Sequence, residues 1–368
     1  MRPIYFVASA RDYHAVDWYR LVKQLCPARR VGIVTDLIEG EGFERIVDAS
    51  DEVILLFPLD KVLLPGQSRL GNLWRNLVKL AFVPLLAWRL RMLAKRAAQP
   101  PVFHAHSMYY IFLCWMAGIE FVGTPMGSDV LVRPDHSRLY RLFTRRSLRA
   151  AAAITVDSVA LRDKIRSLCQ RDSFIVQNGI DAAGTRPARE AAGPRNRIVS
   201  IRGVDPNYRI AELVQARNTA RNKLPLELIY PFFEEGYLRE VKAGLTAADV
   251  DHGRVGKNEM YRLFSQARLV VSIPISDSSP RSVYEAIFCG ACVVVSKGKW
   301  IEALPDCMRQ RIVVADLDSD HWFDDALREA EAISKSPFVP SLDAIQMFDE
   351  TECMKAVCRN FYGEVFDA

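Results

Sequence analysis

The residues best suited to chemistry lie in one segment, residues 277–290, which runs Asp-Ser-Ser-Pro-Arg-Ser-Val-Tyr-Glu-Ala-Ile-Phe-Cys-Gly. Apolar runs precede and follow it, so the segment connects two predicted strands. Ser279 is a good N-cap, and Pro280 suits the first helical position. The sequence therefore predicts a helix that begins at Pro280 and ends at Gly290.

The start of this helix is suited to binding a diphosphate. Free N–H groups and the positive end of the helix dipole attract anions. Proline has no N–H, so the donors are expected to be the amides of Arg281 and Ser282. Glu285 follows Pro280 by about 7–8 Å along the axis, roughly the span from a nucleotide's phosphates to its ribose. We expect Glu285 to accept both ribose hydroxyls and Asp277 to face the sugar. The alternative is a well-capped buried helix with a chance pair of carboxylates.

Short apolar runs alternate with helical patterns along the chain, as buried parallel strands do. The first series of predicted strands is 31–34, 53–56, 102–104 and 153–156. The second series is 198–201, 226–229, 269–273 and 293–295. Residues 182–196, rich in Ala, Gly, Pro and Arg, have the composition of a linker. This pattern predicts two α/β domains with a cleft between them, where ligands meet the carboxyl ends of the strands.

Composition narrows the class of protein. The 368 residues are 50% hydrophobic and 25% charged, with a net charge of +5, which suits two globular domains. Eight scattered cysteines indicate reduced thiols and a cytoplasmic protein, and we interpret Cys289 and Cys292 as buried apolar residues. Residues 4–8 read as a strand rather than as a signal peptide. No apolar run reaches the roughly 20 residues of a membrane span, so we expect a soluble or peripheral protein.

The 277–290 segment resembles the acidic-x7-acidic signature of GT-B glycosyltransferases, followed by the E-A-x-x-x-G of glycosyltransferase family 4. Asp277 stands where the family usually has its first Glu, and Glu285 stands at the second. The resemblance implies that Asp277 contacts hydroxyls of the donor sugar and that Glu285 contacts the nucleotide ribose. Asp in place of Glu shortens the reach by one methylene, which leaves the donor sugar open.

Further landmarks of the family lie in the second domain. The resemblance implies that Arg202, after the first strand of that domain, binds phosphate, because a guanidinium matches phosphate bidentately. Arg209 stands near the family's second base, although the usual Lys-Gly pair is missing. Residues 253–256 resemble the loop that lies against the nucleotide base, which makes Gly253 and Val255 candidate donor contacts. An ordinary turn is the alternative for this loop.

The first domain carries the sequence GSD at 127–129, which matches a family motif and makes Asp129 a candidate catalytic residue. Many members have a His directly before this motif, where this chain has Met126. Either that role is unused, or Asp129 and nearby groups replace it, or the enzyme is inactive. His106 ends an earlier strand, and His14 follows the first strand. A side chain there could orient an acceptor hydroxyl, although a structural role is the alternative for His106.

A basic region without acidic residues extends between Asp60 and Glu120. Its bases are Lys61, Arg69, Arg75, Lys79, Arg89, Arg91, Lys95 and Arg96, interleaved with Leu and Trp residues. A second basic run comprises Arg138, Arg141, Arg145, Arg146 and Arg149. We predict that region 61–96 rests on an anionic membrane and meets a lipid-linked acceptor. The alternative is a solvated helix whose Leu and Trp face the core. Nucleic acid is not an expected partner, since no nucleic-acid module is recognisable.

The resemblance implies the GT-B fold, an α/β architecture of two facing Rossmann-like domains with an interdomain cleft. We expect residues 1–183, with a returning helix at about 346–368, to form the acceptor-side domain and residues 184–345 to bind the nucleotide-sugar.

The implied activity is that of a retaining hexosyltransferase that needs no metal or other cofactor. Its donor is a nucleotide-sugar, with UDP favoured over GDP, and its acceptor is a lipid-linked or polysaccharide intermediate of bacterial-type surface glycan assembly. The expected location is cytoplasmic, peripheral on the inner face of the membrane. The alternatives are a non-catalytic GT-B scaffold, which Met126 motivates, and a sugar-nucleotide epimerase. A nicotinamide oxidoreductase is disfavoured because no G-x-G-x-x-G follows the first strand.

Overall fold

The computed structural model describes residues 1–9, 12–37, 51–59, 69–191, 193–277 and 279–366. The chain forms two compact units, the first comprising Met1–Gln177 with Cys353–Ala368 and the second Asn178–Glu352. Each unit has its own parallel sheet with helices packed against it. Among the described residues, no helix combines the length and the apolar character that a bilayer span requires.

The first sheet consists of short apolar strands that are buried on both faces where the sheet is central. Its strands are β1 (Ile4–Val7), β2 (Val31–Thr35), β3 (Glu52–Leu55), β4 (Val102–His106), β5 (Phe121–Thr124), β6 (Ala153–Val156) and β7 (Phe174–Ile175). They lie in the order β3-β2-β1-β4-β5-β6-β7, all parallel. The order reverses between β1 and β4, and ligands of such sheets bind beyond the carboxyl ends at this point.

Some helices of the first unit begin at side chains that accept hydrogen bonds from free amides. Asp12 caps the first helix by accepting from the amides of His14 and Ala15, and Ser137 accepts from the amide of Tyr140. These helices are α1 (Tyr13–Leu25), α2 (Arg69–Arg96), α3 (Ser107–Ala117), α4 (Gly127–Leu131), α5 (Arg133–His136), α6 (Arg138–Ala150) and α7 (Val159–Cys169). The Asp12 cap fixes where His14 lies relative to the end of β1.

The second sheet repeats this architecture. Its strands are β8 (Arg197–Ser200), β9 (Leu226–Ile229), β10 (Val250–Gly253), β11 (Ala267–Ser272), β12 (Val293–Val295) and β13 (Ile312–Val314). They lie in the order β10-β9-β8-β11-β12-β13, again all parallel, with the reversal between β8 and β11. Neighbouring residues such as Ile198 and Val199 point to opposite faces and join separate apolar clusters.

Helices cover both faces of the second sheet. They are α8 (Ala182–Glu190), α9 (Ile210–Thr219), α10 (Glu235–Ala243), α11 (Lys257–Ser265), α12 (Arg281–Phe288), α13 (Asp306–Arg309), α14 (Trp322–Ser334) and α15 (Leu342–Phe348). The chain then returns to the first unit within α16 (Glu350–Val357) and a following π-helical turn, Cys358–Tyr362.

The strand predicted at residues 4–8 and the eight strands of the two predicted series are all present, and two alternating α/β series confirm the predicted fold class. The edge strands β7, β10 and β13 are additional to the prediction, since β10 contains polar residues and β7 and β13 are only two and three residues long. The unit boundary lies at 177/178 rather than 183/184, and the return lies at 353 rather than about 346. The reason for the first difference is that the predicted linker begins with α8, which Asp181 caps and which packs on α11 and α12. Cys289 and Cys292 are fully buried, as predicted.

Candidate active site

Two cavities lie along the carboxyl edge of the second sheet, one on each side of the reversal in strand order. The β8–β10 cavity has a volume of about 250 Å³ and is lined by Ile201, Arg202, Gly203, Tyr208, Ile229, Tyr230, Pro231, Phe232, Arg254, Val255, Met260 and Ser282. The β11–β12 cavity has a volume of about 220 Å³ and is lined by Ser272, Pro274, Ile275, Ser276, Asp277, Pro280, Val295, Ser296, Lys297, Gly298 and Trp300. An open parallel sheet is expected to bind a ligand at this edge.

Arg202 lies where the two sides of the edge meet. Its guanidinium forms an ion pair with Asp277 and donates a hydrogen bond from Nη1 to the Ser282 hydroxyl at 3.1 Å. The guanidinium carbon is also 4.9 Å from the centre of the Tyr208 ring. Burial lowers the pKa of Arg202, because a low-dielectric surrounding disfavours its charge. The structure thus brings together three side chains that the sequence pattern assigned to donor binding.

The helix α12 begins one residue later than predicted. Pro280, not Ser279, occupies the N-cap position, and no side chain among the residues described caps the helix. The reason is a turn in which the Asp277 carboxylate accepts from the amide of Ser279 at 3.2 Å, and the Ser279 carbonyl accepts from the amide of Arg281 at 3.0 Å. The Arg281 amide, one of the two predicted phosphate donors, is therefore already bonded within the chain.

Glu285 is buried on α12 beside other charged groups. Its Oε1 accepts from the Tyr261 hydroxyl at 3.3 Å and lies 3.7 Å from Nε of Arg281. Nη2 of Arg281 lies 3.5 Å from Oε2 of Glu350. Burial raises the pKa of Glu285, and the charges of Arg281 and Lys257 oppose that rise. In the described part of the chain, Glu285 lines neither cavity, so its contact with a ribose stays a prediction.

The other predicted donor contacts are Arg209, Gly253 and Val255. Arg209 adopts a left-handed conformation (φ 53°) at the N-cap of α9, with its Nε 3.8 Å from Oε2 of Glu212. Gly253 has φ 61°, and its carbonyl accepts from the amide of Tyr230 at 2.9 Å. Of the three, only Val255 lines a cavity in the part of the chain described.

Asp129 of the first unit uses both carboxylate oxygens within the fold. Oδ2 accepts from the amide of Met108 at 3.1 Å, and Oδ1 lies 2.9 Å from Nη1 of Arg133. Asp129 thereby joins α4 to the first turn of α3, where Ser107 has a positive φ of 68°. Met126, which stands in place of the family His, is the N-cap residue of α4. The predicted catalytic role of Asp129 gains no contact that supports it.

His106 ends β4 and is 1% exposed. Its ring packs edge-on against Trp18, with centroids 5.1 Å apart, and lies 4.8 Å from the ring of His104. Burial lowers the pKa of His104 to about 3 and holds the pKa of His106 well below its ordinary value. His14 is the second residue of α1, and its amide donates to Asp12 at 3.1 Å.

Asp157 is a polar residue of the first unit that is absent from the candidate site residues predicted from sequence. It directly follows β6, and one carboxylate oxygen, Oδ1, is buried without a hydrogen-bond partner among the described residues. Its position at the carboxyl end of a predicted strand is the signal that could have identified it.

The basic region of the first unit presents apolar side chains to solvent. Trp74, Leu77, Leu80 and Trp88 of α2 are 42%, 53%, 65% and 59% exposed. For these four residues, the exposures contradict the alternative in which the Leu and Trp side chains face the core. Lys61 lies outside the described residues, as do the side chains of Arg69 and Arg75.

Comparison with known proteins identifies the fold and the family of the first unit. Residues 15–173 match the family model of the glycosyl transferase 4-like domain. No curated protein matches the chain in sequence. The solved structure of HepE from Anabaena in complex with UDP and glucose superposes with a TM-score of 0.69 at 14% identity, covering 99% of this chain and 100% of that chain.

Two further solved structures are similar over 99% of both chains. Sucrose-phosphate synthase from Thermosynechococcus elongatus has a TM-score of 0.70 at 13% identity. A UDP-forming alpha,alpha-trehalose-phosphate synthase from Burkholderia vietnamiensis has a TM-score of 0.66 at 13% identity. At such identities the likeness establishes the fold, and the family match assigns residues 15–173 to the glycosyl transferase 4-like domain. The chain is therefore a glycosyltransferase of GT-B fold that carries a glycosyl transferase 4-like domain.

Proposed function

We propose that the chain transfers a sugar from a UDP-sugar to an acceptor hydroxyl with retention of configuration, and that its second unit binds the donor. The observation that carries this proposal is the convergence of Arg202, Ser282 and Asp277 between two cavities at the carboxyl edge of the second sheet. The bound UDP and glucose of HepE and the UDP-forming reaction of the trehalose-phosphate synthase support UDP as the nucleotide.

We propose that each of the two cavities binds a different part of the donor. Aromatic residues of the β8–β10 cavity, Tyr208, Tyr230 and Phe232, suit a nucleotide base, which stacks on such side chains. The β11–β12 cavity holds Asp277, whose carboxylate suits sugar hydroxyls. Arg202 lies between them and would meet the diphosphate, since guanidinium and phosphate form paired hydrogen bonds.

Positive charge at this position assists departure of the nucleoside diphosphate. As the bond between the anomeric carbon and the phosphate oxygen breaks, negative charge grows on the diphosphate. A buried Arg202, together with the positive end of α12, would stabilise that charge in a low-dielectric site. We therefore propose a donor site that needs no divalent metal.

We further infer that the acceptor is lipid-linked and that the first unit meets it at an anionic membrane surface. Trp74, Leu77 and Trp88 follow one another at helical spacing on α2, and the exposed bases Arg91 and Lys95 continue the same face. Trp residues beside bases suit a membrane interface, where each base near anionic lipid contributes about 1 kcal/mol.

The first unit carries a second group of exposed bases on α6. Arg138, Arg141, Arg145, Arg146 and Arg149 are all exposed. Among them stand the exposed apolar residues Leu139 and Leu142. A protein with such a face would be peripheral on the cytoplasmic leaflet and would act in surface glycan assembly.

A nucleotide-sugar binding screen tests the proposed function. We expect UDP-glucose or another UDP-sugar to raise the melting temperature of the chain, GDP-sugars to do so less, and Arg202→Ala to abolish the effect. Transfer assays with lipid-linked acceptors should then release UDP, with the new linkage keeping the anomeric configuration by NMR. A chain that no nucleotide-sugar stabilises would refute the proposal. Binding of a nucleotide-sugar without release of UDP would favour the non-catalytic scaffold. Conversion of the donor sugar to another sugar in the absence of an acceptor would favour the epimerase.

A further inference from the structure

Two cysteine thiols from distant parts of the chain are in contact in the first unit. Cys26 directly follows α1, and Cys358 begins the π-helical turn that follows α16. Their Sγ atoms are 3.8 Å apart, although 332 positions separate the two residues in the sequence. The sulfurs of a disulfide are about 2.05 Å apart, so a small rotation of the two side chains brings these thiols within bonding distance.

Both sulfurs lie where an apolar cluster meets exposed turns. Cys26 is 3% exposed and Cys358 is fully buried, and both belong to the cluster that packs α1 and the returning chain against the first sheet. The residues that follow them are exposed, namely 27–28 after Cys26 and 359–360 after Cys358. Surface turns near the end of a chain open locally at a low free energy. A small oxidant can therefore reach the pair during such an opening.

The surroundings of Cys26 favour its thiolate. Either sulfur of this contact can carry the donor hydrogen, and a hydrogen bond from Cys358 lowers the pKa of Cys26, although burial opposes this change. Glu364 raises the pKa of Cys26, and Arg29 lowers it. The hydrogen bond with Cys26, followed by burial, raises the pKa of Cys358. Cys26 is therefore the more nucleophilic thiol, and Cys358 is positioned to react with it second.

The turn that begins at Cys358 also reaches the first sheet. Tyr362 ends this turn, and its hydroxyl lies 2.5 Å from Nδ1 of His104 in β4. Nη1 of Arg29 donates to the Tyr362 carbonyl at 2.7 Å and lies 2.6 Å from Oε1 of Glu364. A covalent bond at Cys358 would therefore fix a turn that hydrogen bonds and an ion pair already hold in place.

We propose that Cys26 and Cys358 are an oxidation site at which a hydroperoxide converts the two thiols into a reversible disulfide. Cys26 attacks the peroxide, which forms a sulfenic acid and releases one water. The sulfur of Cys358 then attacks the sulfenic sulfur, so that the S–S bond forms and a second water leaves. The thiols lose two electrons and two protons in total, and the peroxide takes up both. A dithiol reductant reverses the change by thiol–disulfide exchange.

The disulfide attaches the returning segment covalently to the end of α1. Because the cross-link joins residues 332 positions apart, it restricts the unfolded chain and stabilises the fold. Disulfides of cytosolic proteins are usually transient and often sense the redox state. This site lies outside the proposed function, since the transfer of a sugar uses neither thiol. The alternative is that both cysteines are only small buried apolar residues.

Peptide mapping of the full chain after peroxide treatment tests this assignment. Free thiols are alkylated in denaturant, and trypsin then releases residues 24–29 and 356–359, each with one of the two cysteines. We expect the two peptides to be linked in the wild type and separate after treatment with dithiothreitol. In Cys358→Ala, Cys26 should instead accumulate as a sulfenic acid that dimedone traps. Cys169→Ala is the matched control and should keep the link, because Cys169 is a buried cysteine at the end of α7 whose Sγ donates to the Ile165 carbonyl at 3.2 Å.

The melting temperature gives a second readout. Oxidation should raise it by about 5 °C or more in the wild type and in Cys169→Ala, but not in Cys358→Ala. Each variant is compared with its own reduced form, so a loss of stability caused by the substitution does not affect the result. Unlinked peptides in the folded wild type, or Cys26 joined to another cysteine, would overturn the assignment. A link that leaves the melting temperature unchanged would overturn the stabilising attachment.

Discussion

Arg202 and Asp277 form a largely buried ion pair that joins the loop after β8 to the loop after β11. Their side chains are 11% and 18% exposed, and the strands they follow are neighbours at the reversal of the second sheet. Asp277 therefore neutralises the guanidinium that we assign to the donor diphosphate. A donor that binds Arg202 would take over that role and release Asp277 toward the sugar.

Replacing Asp277 by Ala should destabilise the unliganded chain and increase its response to UDP. Removing one partner leaves Arg202 buried without its counter-charge, which costs about 3–5 kcal/mol in comparable buried pairs. A bound diphosphate restores an anion and stabilises the folded state by mass action. Thermal unfolding with and without UDP measures both effects. An unchanged melting temperature, or a UDP shift no larger than that of the wild type, would contradict the relationship we infer.

Replacing Arg202 by Ala should weaken UDP binding by about tenfold or more, because a charge-assisted bond to the diphosphate is lost. Arg209→Ala is the matched control, since Arg209 lines neither cavity in the described part of the chain. Isothermal titration of UDP into each variant gives the affinities. Equal losses of UDP affinity in both variants would contradict a specific role of Arg202 in binding the diphosphate.

Glu285→Gln should change how stability depends on pH. Burial raises the pKa of Glu285 above 4.5 in the folded chain, so the folded state binds this proton more tightly than the unfolded state does. Glu285 therefore makes its full contribution to the free energy of unfolding below the pKa that it has in the unfolded state. That contribution is lost as the pH rises through the pKa that it has in the folded state. Gln cannot ionise and avoids this loss. Urea unfolding should show that the variant gains stability relative to the wild type on going from pH 4.5 to 7.5, and parallel profiles would refute the prediction.

Asp129→Ala should act mainly on stability. Its carboxylate accepts from the Met108 amide at the start of α3 and pairs with Arg133. Loss of such a cap costs about 0.5–2 kcal/mol. Urea unfolding measures this cost, and the transfer rate per folded molecule should fall by less than about tenfold. A far larger loss of rate in a well-folded variant would instead support the catalytic role that the GSD motif suggests.

Membrane binding should depend on the apolar face of α2. The wild-type chain is expected to float with vesicles that contain anionic phospholipid and to remain at the bottom with neutral vesicles. Trp88→Glu should abolish flotation, because it places a negative charge where the Trp ring would enter the interface. Leu342→Glu is the control, since Leu342 is 70% exposed in the second unit. Equal failure of the wild type with both vesicle types would remove the membrane proposal.

Local patterns were sufficient to predict much of this fold. The apolar runs of β1, β8 and β11 and the helix after β11 depend on residues adjacent in the chain, so period and turn chemistry indicate them directly. The same segment contains both Asp277 and Glu285, and their spacing carried the resemblance to the family. The start of α12 differs from the prediction by one residue because the Asp277 carboxylate forms a turn that propensity alone does not indicate.

Contacts between distant residues were decided only by the tertiary structure. Arg202 bonds Ser282, 80 residues away, because the chain crosses over and inserts β8 beside β11. The same kind of crossover brings His14, His106 and Asp157 to one edge, and packing against Tyr261 buries Glu285. Sequence periodicity determines which residues form strands and helices. Strand order and side-chain packing determine which of their polar groups meet, and those are properties of the assembled sheet.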